Sequence, residues 1–281
     1  MDKLDDFQFD LVGKIGSMAL IRKEESDIDY NIFSRIGAQL KPGMIWVSSG
    51  ATEIGRIDYM RRTGAVLSGD PEEDKTDYAA QGQTILMQNY RQFINPDIGV
   101  RQILVEHTHF NDAEKREHMR KLFMRSALQN TVPIVNYNDP VSASENRKME
   151  LVRLRTQTSE DDNVVECVDN DETAAVIAGL VRTKVLLILT STDGIYADPR
   201  DASTLIRHIG GKTQDDLLAN IAKAQENCVG ASRAGAQGAF AKLEYMKKPA
   251  LRGTVVIIGN GKYRFDQLVN DEVPCTRIGL E

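Results

Sequence analysis

Short apolar runs rich in Val, Ile and Leu recur along this 281-residue chain, and longer segments with helical spacing of apolar residues separate them. Such runs are typical of strands that are buried on both faces of a sheet. We assign strands to 44–47, 100–105, 132–135, 185–189 and 255–258, and helices to 28–40, 76–93, 112–128, 172–181, 214–224 and 235–246. Because strands and helices alternate, the sequence predicts an α/β fold with a mainly parallel sheet covered by helices on both sides.

One segment, 142–169, interrupts this alternation. It is polar and charged, with weak apolar spacing and no obvious long strand. Long loops in compact domains are usually functional or mobile, so a loop or hairpin lid is one interpretation. A plain surface excursion is an equally good one.

Composition narrows the class of protein. Hydrophobic residues make up 41% of the chain and charged residues 27%, which is typical of a globular protein, and the length suffices for one large domain or two small ones. The chain has 35 basic and 41 acidic side chains, a net charge of −6 and no long run of Lys and Arg. This balance argues against binding to a nucleic-acid backbone.

Cysteine usage and the chain start point to a cytoplasmic protein. Cys167, Cys228 and Cys275 form no CxxC pair, so neither a disulfide framework nor a zinc site is predicted. The first ten residues are acidic, unlike a signal peptide, and no stretch reaches the roughly 18 apolar residues of a membrane span. We expect no membrane association.

Two glycine-containing segments are candidates for anion binding. An apolar strand carries Lys14 and leads into Gly16 and Ser17, and the strand at 44–47 ends in Ser-Ser-Gly where a helix begins. Glycine lets an anion approach the backbone, and a helix N-terminus offers free N–H groups. Taken alone, a strand with a solvated lysine is the better explanation of the first segment, and an ordinary serine N-cap explains the second equally well.

Acid and amide residues follow two other elements. The strand at 132–135 runs into Asn-Tyr-Asn-Asp, and 169–172 reads Asp-Asn-Asp-Glu just before a predicted helix. These clusters could hold a ligand ammonium group or the water around Mg²⁺. A turn after the strand and an acidic N-cap are the simpler alternatives.

Taken in order, the motifs resemble the amino acid kinase superfamily and, within it, the glutamate 5-kinases. The similarity runs from about 12 to 279, and the N-x-N-D and D-N-D motifs favour glutamate 5-kinases over uridylate kinases. The matching residues are Lys14, Gly16 and Ser17; 47–55; Ala79, Ala80, Gly82 and Gln83; 132–139; 169–171; 194–200; and 238–243.

The resemblance implies a three-layer α/β/α sandwich and an ATP-dependent kinase. Such an enzyme transfers the γ-phosphoryl group to the side-chain carboxylate of L-glutamate, giving glutamyl 5-phosphate for proline biosynthesis. It further implies Mg²⁺ as a cofactor and a homo-oligomer. Because the sequence stops at Glu281, we expect no C-terminal accessory domain. We expect one domain over 1–281, with the acceptor bound by about 1–180 and the nucleotide by about 181–281.

The resemblance also assigns site residues, without protein ligands for a metal. The catalytic residues it implies are Lys14, Lys242, Asp171 and Asp193. Those around the acceptor are Ser49, Gly50, Ala51, Asn136, Asp139, Asn170 and Asp171. Those around the nucleotide are Lys14, Gly16, Ser17, Thr190, Ser191, Asp193, Gly194, Tyr196, Asp198, Pro199, Arg200, Gly238 and Lys242.

Two departures from the family pattern leave alternatives open. Ser191 stands where the family usually has Asp, and 233–239 has fewer glycines than the family's late Gly-rich motif. The alternatives are a uridylate kinase-like nucleoside monophosphate kinase and a non-catalytic protein that binds a nucleotide or anion. The four histidines need no catalytic role, because a glutamate carboxylate, with a pKa of about 4.3, is already ionised at neutral pH.

Overall fold

A computed structural model describes residues 8–142, 144–157, 164–167, 169–228 and 238–281. The strands within them are β1 (Phe9–Ile15), β2 (Ile21–Arg22), β3 (Asp27–Ile28), β4 (Met44–Ser48), β5 (Gly99–Val105), β6 (Thr131–Tyr137), β7 (Thr183–Thr190), β8 (His208–Gly211), β9 (Val255–Asn260) and β10 (Cys275–Leu280). The helices are α1 (Tyr30–Gly37), α2 (Ala51–Thr63), α3 (Pro71–Phe93), α4 (Thr108–Asn111), α5 (Ala113–Leu128), α6 (Ser144–Gln157), α7 (Asn170–Val181), α8 (Gln214–Glu226), α9 (Gly238–Leu251) and α10 (Phe265–Val269).

Eight of these strands form one sheet in the order β5-β6-β4-β1-β7-β9-β10-β8. The first six strands in this order, β5, β6, β4, β1, β7 and β9, pair in parallel. Strand β10 runs antiparallel to β9 and parallel to β8. The carboxyl ends of β6, β4, β1, β7 and β9 therefore lie along one edge, where α/β sheets bind ligands. The predicted α/β fold with a mainly parallel sheet is confirmed.

Helices cover both faces of the sheet, and two apolar clusters form the core. One cluster packs α5, α7, α8 and α9 on one face, and the other packs α1, α2, α3 and α10 on the opposite face. Side chains along a strand alternate between faces. In β1, Val12 belongs to the first cluster and Leu11 and Ile15 to the second, so Lys14 points towards α7 and α9.

Local signals explain where the helices begin. Asp70 accepts hydrogen bonds from two backbone N–H groups at the start of α3, and Pro71 occupies its first turn. Asp112 caps α5, and Thr213 and Asp216 form a capping box on α8. Asp112 and Thr213 lie at or next to the predicted helix starts, whereas α3 begins at Pro71, ahead of the predicted start at 76.

Helices α2 and α3 approach each other through two glycines. A Cβ atom on Gly55 would lie 1.9 Å from the carbonyl oxygen of Tyr78, and one on Gly82 would lie 1.8 Å from that of Ala51. Only glycine permits the two helices to approach this closely. The two glycines therefore help to place the first turn of α2 at the ligand-binding edge of the sheet.

Segment 142–169 contains α6 over 144–157, where a loop or hairpin was expected; residues 143, 158–163 and 168 lie outside the described part of the chain. The apolar pattern did not reveal this helix, since Leu151 is its one buried apolar side chain among those described. The short strands β8 and β10 were not predicted either. The first residues of the helix expected at 235–246 lie outside the described residues, within which α9 starts at Gly238. No helix of the described part is both long and apolar enough to span a membrane.

Candidate active site

A cavity of about 980 Å³ opens at the carboxyl ends of the parallel strands. It extends from the end of β6 to the ends of β7 and β9, between α2 on one side and α7 and α9 on the other. Predicted site residues that line it are Lys14, Gly16, Ser17, Ser49, Gly50, Ala51, Asn136, Asp139, Asn170, Asp171, Thr190, Ser191, Gly194, Gly238 and Lys242.

Three charged side chains meet in the cavity. The Nζ atom of Lys14 lies 2.6 Å from Oδ1 of Asp171, and the Nζ atom of Lys242 donates to Oδ2 of the same carboxylate. Lys14 comes from β1, Asp171 from the first turn of α7 and Lys242 from α9. Lys14 and Asp171 are buried, and Lys242 is nearly so. One carboxylate thus fixes two ammonium groups that reach it from opposite ends of the chain.

The two lysines keep the carboxyl group of Asp171 ionised. Burial alone would raise the pKa of Asp171, but the ammonium groups of Lys14 and Lys242 outweigh burial and hold its pKa well below the usual range. Asp171 is therefore ionised at neutral pH. The three groups carry a net charge of +1, which suits an anionic ligand.

The first turn of α2 adds backbone donors. Gly50 has a φ of 110°, a conformation that side-chain-bearing residues rarely adopt, and no side chain caps the helix. Gly50, Ala51 and Thr52 line the cavity. The free N–H groups of this turn and its helix dipole favour a bound anion.

Beside the charged centre lies a network of amides. The Nδ2 atom of Asn170 donates to Ser49 Oγ at 2.8 Å and to Asn136 Oδ1 at 3.1 Å, and Asn136 in turn donates to Gln83 at 2.9 Å. The Oδ1 atom of Asn170 is buried and has no hydrogen-bond partner within the described ranges. A buried acceptor without a partner is costly, so this oxygen is suited to a ligand donor such as an ammonium group.

Asp139 follows β6 at the far end of the cavity. Its carboxylate lies 3.8 Å from the Nζ atom of Lys75, which α3 supplies. Burial raises the pKa of Asp139, and the positive charges of Lys75 and Arg147 oppose that rise. This part of the cavity therefore holds both signs of charge.

The predicted nucleotide loop is only partly at the cavity. Thr190 and Gly194 line it, but Tyr196, Asp198, Pro199 and Arg200 do not. Arg200 instead pairs with Asp198 on the exposed loop.

Asp193, an expected catalytic residue, is not brought to the two lysines. It does not line the cavity, and its carboxylate lies 3.1 Å from the Nζ atom of Lys262. The acid between Lys14 and Lys242 is Asp171. Of the late Gly-rich segment, 233–237 lies outside the described residues.

Sequence reasoning missed several residues of the cavity wall. Lys23, Lys75, Tyr137, Arg147 and Cys167 line it. Arg147 lies in the charged segment that interrupts the alternation, which was the available signal. Lysines such as Lys23 and Lys75 look like solvated surface charges in a sequence, because nothing local distinguishes them.

The sequence model of one known protein family matches most of the chain. Residues 11–260 match the sequence model of the amino acid kinase family. A glutamate 5-kinase from Bacteroides thetaiotaomicron is 31% identical, over 94% of this chain and 68% of its own length. Glutamate 5-kinase 1 from Bacillus licheniformis is 32% identical, over 90% of this chain and 63% of its own length. The chain thus spans about two thirds of the length of these relatives, but 88% of a glutamate 5-kinase from Alkaliphilus metalliredigens that is 26% identical over 90% of this chain.

Solved structures share the fold. An isopentenyl phosphate kinase in a substrate complex matches with a TM-score of 0.56 at 13% identity, over 97% of this chain and 100% of its own. UMP kinase from Ureaplasma parvum matches with a TM-score of 0.52 at 12% identity, over 96% of this chain and 98% of its own. Identities this low show a common architecture.

Proposed function

Since the chain belongs to the amino acid kinase family, we propose that it uses ATP to phosphorylate the side-chain carboxylate of L-glutamate, giving glutamyl 5-phosphate. The observation that carries the proposal is the buried bridge of Lys14 and Lys242 through Asp171, next to the amide network of Asn136 and Asn170. The naming of the relatives as glutamate 5-kinases supports the acceptor.

The chemistry requires positioning and charge neutralisation. The acceptor carboxylate is ionised at neutral pH, so its oxygen can attack the γ-phosphorus without a general base. The bond from that phosphorus to the bridging oxygen of ADP then breaks. Lys14 and Lys242 offset the charge on the transferred group, and the N–H groups at the start of α2 donate to its oxygens.

The amide network and the acids beyond it suit an amino acid. The open oxygen of Asn170 can accept from the ammonium group of glutamate, and Asp139 offers a carboxylate in the same part of the cavity. A second phosphate in place of the amino acid would leave that oxygen unpaired. This argues for glutamate over a nucleoside monophosphate as acceptor.

We further propose that Mg²⁺ accompanies ATP, where it would neutralise phosphate charge. Asp171 is engaged by two lysines, and the described residues contain no group of three His, Cys, Asp or Glu side chains placed to hold a metal ion. Asp169, which lines the cavity and whose side chain is 37% exposed, would be accessible to the ion. This donor set fits a cation held mainly by nucleotide phosphates and water.

In this proposal the two halves of the chain bind different ligands. Ser49, Asn136 and Asn170 come from about 1–180, and Thr190 and Lys242 come from about 181–281. The first half would bind the acceptor and the second the nucleotide. A homo-oligomer is proposed from family resemblance and is tested by light scattering after gel filtration.

The test is acceptor-dependent release of ADP from Mg-ATP, with L-glutamate and UMP assayed side by side. An acyl phosphate reacts with hydroxylamine to give a hydroxamate, whereas UDP does not, so trapping identifies the product. We expect hydroxamate with glutamate. Turnover with UMP alone would favour a nucleoside monophosphate kinase, and ATP binding without any transfer would indicate a non-catalytic protein.

Lys14→Ala and Lys184→Ala form a matched pair of variants. Both remove a lysine from the central sheet, but Lys184 lies on the exposed end of β7, in a surface pair with Asp10. Lys14→Ala should lower kcat by about 10²-fold or more, as removal of a charge-stabilising donor does. Lys184→Ala should retain activity. Equal activity of the two variants would contradict the proposed role of Lys14.

A further inference from the structure

Helix α6 places a cation in the acceptor half of the cavity. Arg147 lines the cavity and is half-buried, and its Cζ atom lies 5.4 Å from the centre of the Tyr137 ring. Tyr137 is the last residue of β6 and is itself buried. Contact with the aromatic ring and a hydrogen bond between the two side chains hold the guanidinium, which has five N–H groups and can still donate to a ligand.

Three of the other cations that line the cavity lie close to acids. Lys14 and Lys242 share Asp171, and Lys75 lies 3.8 Å from Asp139. Arg147, by contrast, has no carboxylate within 4.0 Å among the residues that the structure describes. Its charge acts on Asp139 without a close ion pair, so it can also attract an anion that enters the cavity.

Two further contacts hold α6 in place. The Nε2 atom of His107, which is buried, lies 3.0 Å from the carboxylate of Glu150. The Tyr137 hydroxyl lies 2.9 Å from Ser142 Oγ, just before the helix. These contacts fix the backbone that carries Arg147, so the guanidinium does not have to be ordered by the ligand alone.

The sheet sets the distance between Arg147 and the reaction centre. Tyr137 ends β6, and Lys14 lies near the end of β1, with β4 between them. Two strand spacings amount to roughly 10 Å. The carboxyl carbons of extended glutamate are four C–C bonds, roughly 5 Å, apart. The long side chains of Lys14 and Arg147 can span the remainder, with Ser49, Asn136 and Asn170 between them.

We propose that Arg147 binds the α-carboxylate of the acceptor amino acid while its side-chain carboxylate faces Lys14. This assignment rests on the proposed function and deepens it, because it makes two carboxylates at a set distance the feature that is recognised. A nucleotide phosphate is a poorer occupant. The nucleotide loop follows β7, three strand spacings or roughly 15 Å from β6.

The test compares two acceptors on four proteins. L-glutamate and its α-amide both keep the reacting side-chain carboxylate, but the α-amide lacks the anion that Arg147 would bind. The proteins are wild type, Arg147→Ala, Arg147→Lys and Arg153→Ala. Arg153 lies on the exposed surface of the same helix and outside the cavity, so its variant controls for loss of a helical arginine.

Arg147→Ala should raise KM for glutamate by about 10–100-fold, the range for loss of a charge-assisted bidentate hydrogen bond. The KM for ATP should stay within about twofold, and kcat should change less than KM. Arg147→Lys should give an intermediate KM, because an ammonium group keeps the positive charge but not the planar pair of N–H groups that binds a carboxylate through two hydrogen bonds. On the α-amide, wild type and Arg147→Ala should have the same KM.

Several outcomes overturn the proposal. An unchanged KM for glutamate in Arg147→Ala refutes the assignment and leaves glutamate phosphorylation intact. An equal rise for glutamate and the α-amide also refutes it, since that result means a structural role. A wild-type protein that does not phosphorylate glutamate refutes the proposed function and the assignment together. Thermal unfolding of each variant shows whether a loss of activity is a loss of fold.

Discussion

Asp171→Asn tests the centre of the site most directly. The substitution keeps the size of the side chain but removes the charge that two ammonium groups share. The side chains of Lys14 and Lys242 are only 7% and 16% exposed, so water in the cavity offsets only part of the loss of the carboxylate. Removing one partner of a buried ion pair costs about 3–5 kcal/mol of unfolding free energy. The amide oxygen still accepts one hydrogen bond, so we expect a value near 3 kcal/mol.

The pH dependence of this loss has a definite sign. The pKa of Asp171 is lower in the folded chain than in the unfolded chain, where an aspartate titrates at about 3.9. The stabilisation is therefore fully present above about pH 5 and is lost as the pH falls from about 4 towards the folded pKa. The free-energy difference between wild type and Asp171→Asn should be constant from pH 6 to 8 and shrink by up to about 1.4 kcal/mol per pH unit below about 4.

Urea unfolding followed by fluorescence measures this difference, because the single tryptophan, Trp46, is fully buried. Asp169→Asn is the matched control. Asp169 lies 3.9 Å from Lys14 and is 37% exposed, and asparagine can still cap α7 in its place. The Asp169→Asn substitution should lower the free energy of unfolding by less than about 1 kcal/mol. If Asp171→Asn were within about 0.5 kcal/mol of wild type, or Asp169→Asn equally costly, the buried bridge would not be the source of stability.

Two other substitutions test how the site is held. Tyr90→Phe leaves the indole N–H of Trp46 and the hydroxyl of Ser48 without the oxygen that lies 2.8 Å from each, and should lower unfolding free energy by about 1–3 kcal/mol in urea titrations; a neutral result would mean that these groups find other partners. Gly82→Ala forces α2 and α3 apart at the Ala51 carbonyl and should lower the unfolding temperature and raise KM for the acceptor together. A stable variant with an unchanged KM would show that α2 is not positioned by this contact.

The sheet could be predicted from the sequence because its strands are covered on both faces. Runs such as 185–189 and 255–258 are continuous in apolar residues, and such runs stand out in any sequence. Strand β10 mixes polar residues such as Thr276 and Arg277 with apolar ones, so its pattern was too mixed to assign from the sequence. The direction of β10, antiparallel to β9, depends on tertiary pairing that no local signal encodes.

The site could be predicted in part. Lys14 and Lys242 were expected to act together, and the structure brings them to one carboxylate. Which acid joins them could not be read from the sequence, because Asp171 matches the D-N-D motif while Asp193 is the nearest acid in a loop that departs from the family pattern. In the structure Asp193 lies beside Lys262, which was not singled out in the sequence. Arg147 was missed for a similar reason, since its partner Tyr137 is on another element.

The bridge through Asp171 also has a consequence for selectivity against stray anions. The carboxylate of Asp171 pairs with both ammonium groups, so an incoming anion must compete with it for them. A single inorganic phosphate gains little from such an exchange. On the proposed function a nucleotide would also gain contacts along the rest of the cavity, so the carboxylate of Asp171 would favour a large anionic ligand over a single phosphate.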